Sequence, residues 1–131
     1  MTFESLYANP KGRTPRGPFI GGLVTLLAAA AFYVFLVHAG RNEEWVLVTL
    51  LYPGAVLHAR RLQDMGKSGW LVLAPLALIA VAVGMHMAGR NDQVQSYVSI
   101  AAAVVSVAFM LWGLLGKGQA DANRFGEAVA A

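Results

Sequence analysis

The thirteen residues HARRLQDMGKSGW, positions 58–70, set Arg60, Arg61, Asp64 and Lys67 between two apolar runs. Outward from this stretch, residues 19–39, 45–59, 70–88 and 97–115 contain no Asp, Glu, Lys or Arg. A bilayer's hydrocarbon core takes roughly 20 apolar helical residues to cross. The four runs hold 15 to 21 residues each. The chain as a whole is 57% hydrophobic and 13% charged, where a soluble domain carries about 25% charged residues. These blocks predict an all-α fold: a four-helix transmembrane bundle made of two helical hairpins, one domain over residues 1–131.

Charge placement sets the orientation, because Lys and Arg near membrane spans are retained on the cytoplasmic side. In a four-pass arrangement Lys11, Arg13, Arg16, Arg60, Arg61, Lys67, Lys117 and Arg124 fall on one side, and Arg41 and Arg90 on the other. Both termini are therefore expected in the cytoplasm, with residues 1–17 as a lead-in and 116–131 as a tail. The first apolar run exceeds the 7–15 residue core of a signal peptide, and Gly40, Arg41 and Asn42 follow it instead of a small-residue cleavage site. It reads as a retained helix. The asymmetry accounts for the net charge of +3 without a nucleic-acid partner.

Local signals divide the chain further. Thr14 and Pro15 suit the N-cap and first position of the first helix. Gly21, Gly22, Thr25, Ala28 and Ala29 give that helix a small face of the kind that lets backbones approach in lipid. Ser99, Ala102, Ala103 and Ser106 do the same for the last. The first helix ends HAGRNEE and the third HMAGRNDQ. In both, Gly40 or Gly89 can close a helix, Asn42 or Asn91 can cap the next, and Glu43, Glu44 or Asp92 complements its positive end. Pro53 is expected to kink or weaken the second helix and Pro75 to break the third mildly. Gly66 is placed to stop the second helix, Ser68 to cap the third and Trp70 to sit at the interface. Arg60 and Asp64, four apart, share a helix face.

The absence of cysteine removes disulfides, thiolate nucleophiles and thiolate metal sites. His38 and His86, without carboxylate company, make a weak metal signal. The triplet Gly66-Lys67-Ser68 is no P-loop, since Arg61 stands where that motif needs glycine. No ionisable residue other than His lies in the four runs, which disfavours a pump or coupled transporter.

Three ordered motifs resemble one family, the bacterial inner-membrane proteins of the domain of unknown function 805. Gly12, Arg13, Thr14, Arg16 and Phe19 resemble its N-terminal Gly-Arg-x-Ser-Arg-x-x-Phe element. Arg60, Arg61, Leu62, Asp64, Gly66, Lys67, Ser68, Gly69 and Trp70 match its central element, with Gln63 in place of the usual His. Gly118, Asn123, Arg124, Phe125 and Gly126 resemble its terminal element, with Phe125 in place of Tyr. The resemblance implies a small multi-pass protein of the bacterial inner membrane and supplies no established activity.

All three motifs project to the expected cytoplasmic side. The candidate binding residues are Arg13, Arg16, Arg60, Arg61, Asp64, Lys67, Trp70, Asn123 and Arg124. Arginine suits such a face because its planar fork grips phosphate or carboxylate at two points. The expected function is a binding or interaction module for an anionic ligand, a lipid headgroup or a membrane partner protein. A small facilitative channel or transport accessory subunit is the alternative. The expected partners are membrane lipids, anionic ones included, and a membrane protein or a second copy of the chain. No catalytic constellation, metal set or cofactor motif is visible. The tail, with Asn123 to Gly126, is expected to cap the 58–70 hairpin, with Phe125 near Trp70 and Arg124 drawn to Asp64 or to the other arginines.

Overall fold

Residues 51–64 combine an apolar face with a charged end, and residues 3–7, 16–32, 69–72 and 93–115 all contact them. The computed structural model describes residues 2–37 and 48–128. Among these residues it is all-α: α1 (Phe3–Tyr7), α2 (Arg16–Phe32, continued by a π turn over Tyr33–Val37), α3 (Leu51–Asp64), α4 (Leu73–Met87) and α5 (Gln93–Leu115). A 3-10 turn, Gly69–Val72, leads into α4. α3 contacts α1, α2, α5 and the 3-10 turn, and α4 lies along α5. The first outer turn, with His38, Gly40, Asn42, Glu43 and Glu44, falls outside the described residues.

Three helical stretches are long and apolar enough to cross a membrane: Arg16–Phe35, Gly69–Met87 and Gln93–Leu115, with mean hydropathies of 2.0, 2.1 and 2.3. At 1.5 Å per residue the last, of 23 residues, is about 35 Å long. Their outer faces carry exposed Val24, Leu27, Val81, Ile100, Val104 and Val107. In water such a surface is a liability; in hydrocarbon it is matched to its solvent. The α3 helix is shorter and buries a mixed set: Val56, Leu57, Ala59 and Leu62 together with Arg60, Arg61 and Asp64.

Two apolar clusters hold the helices to α3. Tyr7, Phe19, Leu23 and Leu57 form one, with Leu26, Met110 and Leu114 against it. Ala59, Leu62, Met65 and Val72 form the other, with Leu76 and Phe109. Tyr7 also donates its hydroxyl to the Gly22 carbonyl at 2.9 Å, so the short α1 is pinned onto α2 and the lead-in is ordered. Of the expected small face on α2, Gly22 packs inward, whereas Gly21, Thr25, Ala28 and Ala29 are exposed. Gly113 makes a close approach on α5, lying against the fully buried Phe19 ring.

Several local readings hold. Gly66 takes φ +78° and Lys67 N–H reaches back to the Leu62 carbonyl at 2.8 Å, stopping α3. Ser68 Oγ accepts from Trp70 N–H at 3.3 Å. Gly89, at φ +76°, closes α4.

Others are corrected. Pro53 falls in the first turn of α3, and a turn at Leu50 separates that helix from helical residues 48 and 49, so the weakening expected of Pro53 appears just ahead of it, where the proline has no N–H to donate toward residue 49. Pro75 likewise sits in the first turn of α4, so the break appears ahead of it, where the 3-10 turn becomes α-helix. The N-cap of α5 is Asp92, whose Oδ1 accepts from Gln95 N–H at 3.0 Å, so Asn91 lies outside the helix. The helix accordingly starts at Gln93, four residues before the expected span beginning at Tyr97, since a capped polar turn is as helical as an apolar one.

Candidate functional site

The polar end of the bundle is built on Asp64, the last residue of α3. Its Oδ1 accepts from Arg13 Nε at 3.0 Å and its Oδ2 from Arg61 Nη1 at 2.7 Å. The three side chains are buried, Arg13 at 2%, Arg61 at 1% and Asp64 at 4% exposure. Arg61 and Asp64 are three apart on one helix face, so their pairing is local. Arg13 comes from the lead-in, and its pairing is a tertiary event.

Apart from one bond to the Thr14 hydroxyl, the remaining guanidinium donors go to backbone carbonyls. Arg61 donates from Nε to Gly113 O at 2.8 Å and from Nη2 to Gly116 O at 2.6 Å. Those are carbonyls at the end of α5, which the helix itself leaves without partners, and a cation also suits the negative end of its dipole. Arg16 supports the same terminus from the solvent side, donating to Leu115 O at 3.1 Å and Gly116 O at 2.7 Å. Arg60 collects the lead-in: it donates to Thr14 Oγ1 at 3.0 Å, to Asn9 O and Arg13 O at 3.1 Å, and to Lys11 O. Thr14, expected as a helix cap, instead gives its hydroxyl to Arg60, and Pro15 occupies the N-cap position of α2. Gly12, at φ +105°, lets the loop close over this guanidinium: a Cβ there would lie 3.0 Å from Arg60 Nη1.

The tail completes the knot. Arg13 donates to the carbonyls of Gln119, Asp121 (2.9 Å) and Gly126 (3.3 Å). Gln119 N–H donates to Asp64 O at 2.8 Å. Asn123 Nδ2 donates to Gln63 O at 3.0 Å, and its Oδ1 accepts from Phe125 N–H at 2.9 Å in a side-chain-closed turn. Asn123 and Gly126 exchange both backbone hydrogen bonds, at 2.9 and 3.0 Å. Gly118 passes so close to Asp64 Oδ2 that a Cβ has no room. The Gln63 amide faces Gly12 O at 2.6 Å and Pro10 O at 3.1 Å, so its nitrogen is the atom turned toward them.

Two buried guanidiniums pair with one carboxylate and a third, Arg60, is buried in the adjoining lead-in loop, an excess of positive charge offset by carbonyl dipoles. Burial lowers the pKa of Arg60 and Arg61 from the ordinary arginine value, for Arg61 against an upward pull from Asp64. Both remain cations, because that ordinary value lies so far above neutrality.

Of the expected site residues, the structure brings together Arg13, Arg60, Arg61, Asp64 and Asn123, with Arg16 at the edge. Lys67 and Arg124 are exposed, and Arg124 lies over the Phe125 ring at 4.7 Å. It does not reach Asp64, whose two oxygens are taken by Arg13 and Arg61. Trp70 is 78% exposed, so the tail leaves it open and docks instead through Gln119, Asn123 and the carbonyls that hold Arg13. Of Arg60 and Arg61, either of which was expected to be held by Asp64 or the tail, Arg61 pairs with Asp64 and Arg60 turns to the lead-in. Thr14, Gln63, Gly113, Gly116 and Gln119 are participants that sequence reasoning missed. The Gly-Arg-Thr and Gly-Lys-Gly-Gln runs carried the one available signal, glycines placed beside polar groups.

Beside the knot lies a cleft of about 320 Å³ lined by Pro15, Arg16, Arg61, Asp64, Lys117, Gly118, Gln119, Ala120 and Ala128. Three cations and one doubly paired carboxylate make its wall positive. Among the described residues no three His, Asp or Glu side chains gather as a metal site.

No curated protein and no solved structure matches the chain. A family model does match, over residues 7–127, a span that takes in the lead-in, the α3 end and the tail that form the knot. The chain belongs to that family, described as "Protein of unknown function (DUF805)".

Proposed function

We propose that this chain is a multi-pass protein of a bacterial inner membrane whose cytoplasmic face binds the phosphate of an anionic lipid headgroup. Four crossings are supported by the direction of the helices. The start of α2, the end of α3 and the end of α5 meet at the knot through Thr14, Arg61 and Gly116. The chain therefore leaves the polar end in α2 and α4 and returns in α3 and α5, as two hairpins. The excess of Lys and Arg at that end supports a cytoplasmic location.

The cleft beside Arg16 and Lys117 carries the binding reading. Arg13, Arg60 and Arg61 are consumed in holding the lead-in, α5 and the tail, so they act as scaffold. Arg16 and Lys117 stand at the rim, at the level where α2 begins and α5 ends, which is where headgroups lie against a spanning helix. A guanidinium held by carbonyls and an exposed ammonium beside a buried cation suit a phosphate. With both Asp64 oxygens engaged by arginines, the site is read as a binding module without catalysis.

The test is native mass spectrometry of the full chain released from nanodiscs containing equal phosphatidylglycerol and phosphatidylcholine. Retention of phosphatidylglycerol is expected, with loss in the Arg16→Ala, Lys117→Ala double variant. Equal retention of the two lipids, or an unchanged double variant, overturns the reading.

A further inference from the structure

The one-turn helix α1 is too short to be stable by itself, and what it packs against sets its level in the molecule. Tyr7 donates to Gly22 O, six residues into α2 and so about 9 Å from Arg16 along the helix axis. Leu6 lies with Tyr7 against Phe19, Leu23 and Leu57. Tyr52, eight residues ahead of Arg60 on α3, donates its hydroxyl to Ala8 O at 2.6 Å, while Asn9 O meets Arg60. Traced back from Lys11 to Ala8, the chain therefore leaves the knot and turns toward the apolar part of the bundle. Arg16, bonded to the end of α5, marks the polar end of the stretch Arg16–Phe35, which is long and apolar enough to cross a membrane. A segment about 9 Å inside that end sits where interfacial helices settle, about 5–10 Å into the boundary of headgroups and acyl chains.

The chemistry of α1 fits that level. Backbone groups facing lipid have to be satisfied within the protein. Ser5 N–H donates to Thr2 Oγ1 at 3.2 Å and Ser5 Oγ to Thr2 O at 2.9 Å, and the Ala8 and Asn9 N–H groups both reach Glu4 O at 3.0 Å. Phe3 is left outside the packing, 75% exposed, with its ring 5.1 Å from that of Tyr7. Glu4 beside it is exposed as well, and a carboxylate keeps to water. A large ring next to a carboxylate suits neither bulk water nor the bilayer interior, and the boundary between them serves both. Exposed Tyr52, with its hydroxyl bonded to Ala8 O, is an aromatic of the type found at that boundary.

We infer that residues 3–8 re-enter the surface of the bilayer, with Phe3 inserted among the lipid acyl chains beside α3, a placement that is separate from the anion cleft and rests on the reading of the long helices as membrane spans. Arg60 supplies the reason for the fold-back. Its guanidinium sits on the last turns of α3, and the carbonyls of Asn9, Lys11 and Arg13 cover it. A lead-in extended into the cytoplasm would leave that cation facing hydrocarbon.

The experiment starts with the unaltered chain in nanodiscs of phosphatidylcholine that carries a diazirine near the carbonyl end of one acyl chain. After irradiation and trypsin, lipid is expected on peptide 1–11 and on the α5 peptide 91–117, and not on the hairpin peptide 62–67. A bare peptide 1–11 beside a labelled α5 peptide overturns the placement and leaves the spans standing. A bare α5 peptide overturns both. The chain has no cysteine, so Phe3→Cys, Val104→Cys and Lys67→Cys each take a single spin label at a side chain that is exposed. At residue 3, collisions with oxygen, which concentrates in lipid, should exceed those with a water-soluble nickel chelate, as at residue 104 and in contrast to residue 67. A label at residue 3 that behaves like the one at residue 67 overturns the placement. Low collision rates with both reagents, the mark of a covering protein surface such as a second copy of the chain, overturn it too.

Discussion

Arg13 donates from Nε to Asp64 Oδ1 at 3.0 Å, joining residues 51 apart in the chain. The pair fixes the lead-in to the end of α3, and Arg61 on the other carboxylate oxygen carries the link on to α5. One acidic side chain thus sets the position of three segments.

Asp64→Asn keeps the shape and removes the charge, leaving Arg13 and Arg61 buried without a counterion. A loss of about 3–5 kcal/mol is expected, the range for breaking one side of a buried pair. It is read as a lower unfolding midpoint in detergent. Combining it with Arg13→Ala should cost less than the two single changes added together, and strict additivity counts against direct coupling.

Gly118→Ala places a methyl group against Asp64 Oδ2, and a loss of about 1–3 kcal/mol is expected from the forced displacement. Gly21→Ala is the control, since nothing lies within 4 Å of its added Cβ. Alanine is the better helix former there by about 0.5–1 kcal/mol, so unchanged or raised stability is expected. Equal losses at the two positions would show that close approach to Asp64 is not the cause.

Hydrogen exchange checks the docked tail. Gln119 N–H is bonded to Asp64 O, and Gly126 N–H to Asn123 O, so both should exchange well below the rate of an unstructured peptide. Truncation after Gly118 removes three carbonyl partners of Arg13 and should lower the unfolding midpoint. Rapid exchange at Gln119 and Gly126 in the intact chain contradicts the docked arrangement.

Reporter fusions at Lys67, Asp92 and the C-terminus test the proposed topology. Lys67 and the C-terminus should report the cytoplasm and Asp92 the opposite side. A Lys67 fusion that reports the outer side overturns the orientation.

At the far end of the molecule, the Asp92 carboxyl titrates below its ordinary value, first because Arg90 donates to it and next because Gln95 N–H does. A carboxylate with a depressed folded pKa contributes stability above its unfolded value and loses it as pH falls through the folded one. Exchange at Gln95 N–H, corrected for its intrinsic rate, should therefore rise on acidification through and below the usual carboxylate range. Asp92→Asn, which retains a capping oxygen, should flatten that dependence.

The sequence by itself determined whatever depends on near neighbours. Uncharged runs located three long apolar helices, because a helix in hydrocarbon excludes charge along its length. Gly66, Ser68 and Gly89 marked turns, because left-handed backbone and side-chain caps act within a few residues. The motif residues Arg13, Arg61 and Asp64 were legible as a group, and their partners were not. Helical spacing offered both Arg60 and Arg61 to Asp64; Arg61 takes one carboxylate oxygen, Arg13 from the lead-in takes the other, and Arg60 holds the 9–14 loop. Thr14 looked like a cap for the same reason and serves a guanidinium instead. A guanidinium has five donors and a long stem, and carbonyls at helix ends and in loops can all accept from it. Which of them it meets is decided when α3, α5, the lead-in and the tail converge, and only the tertiary structure brings them together.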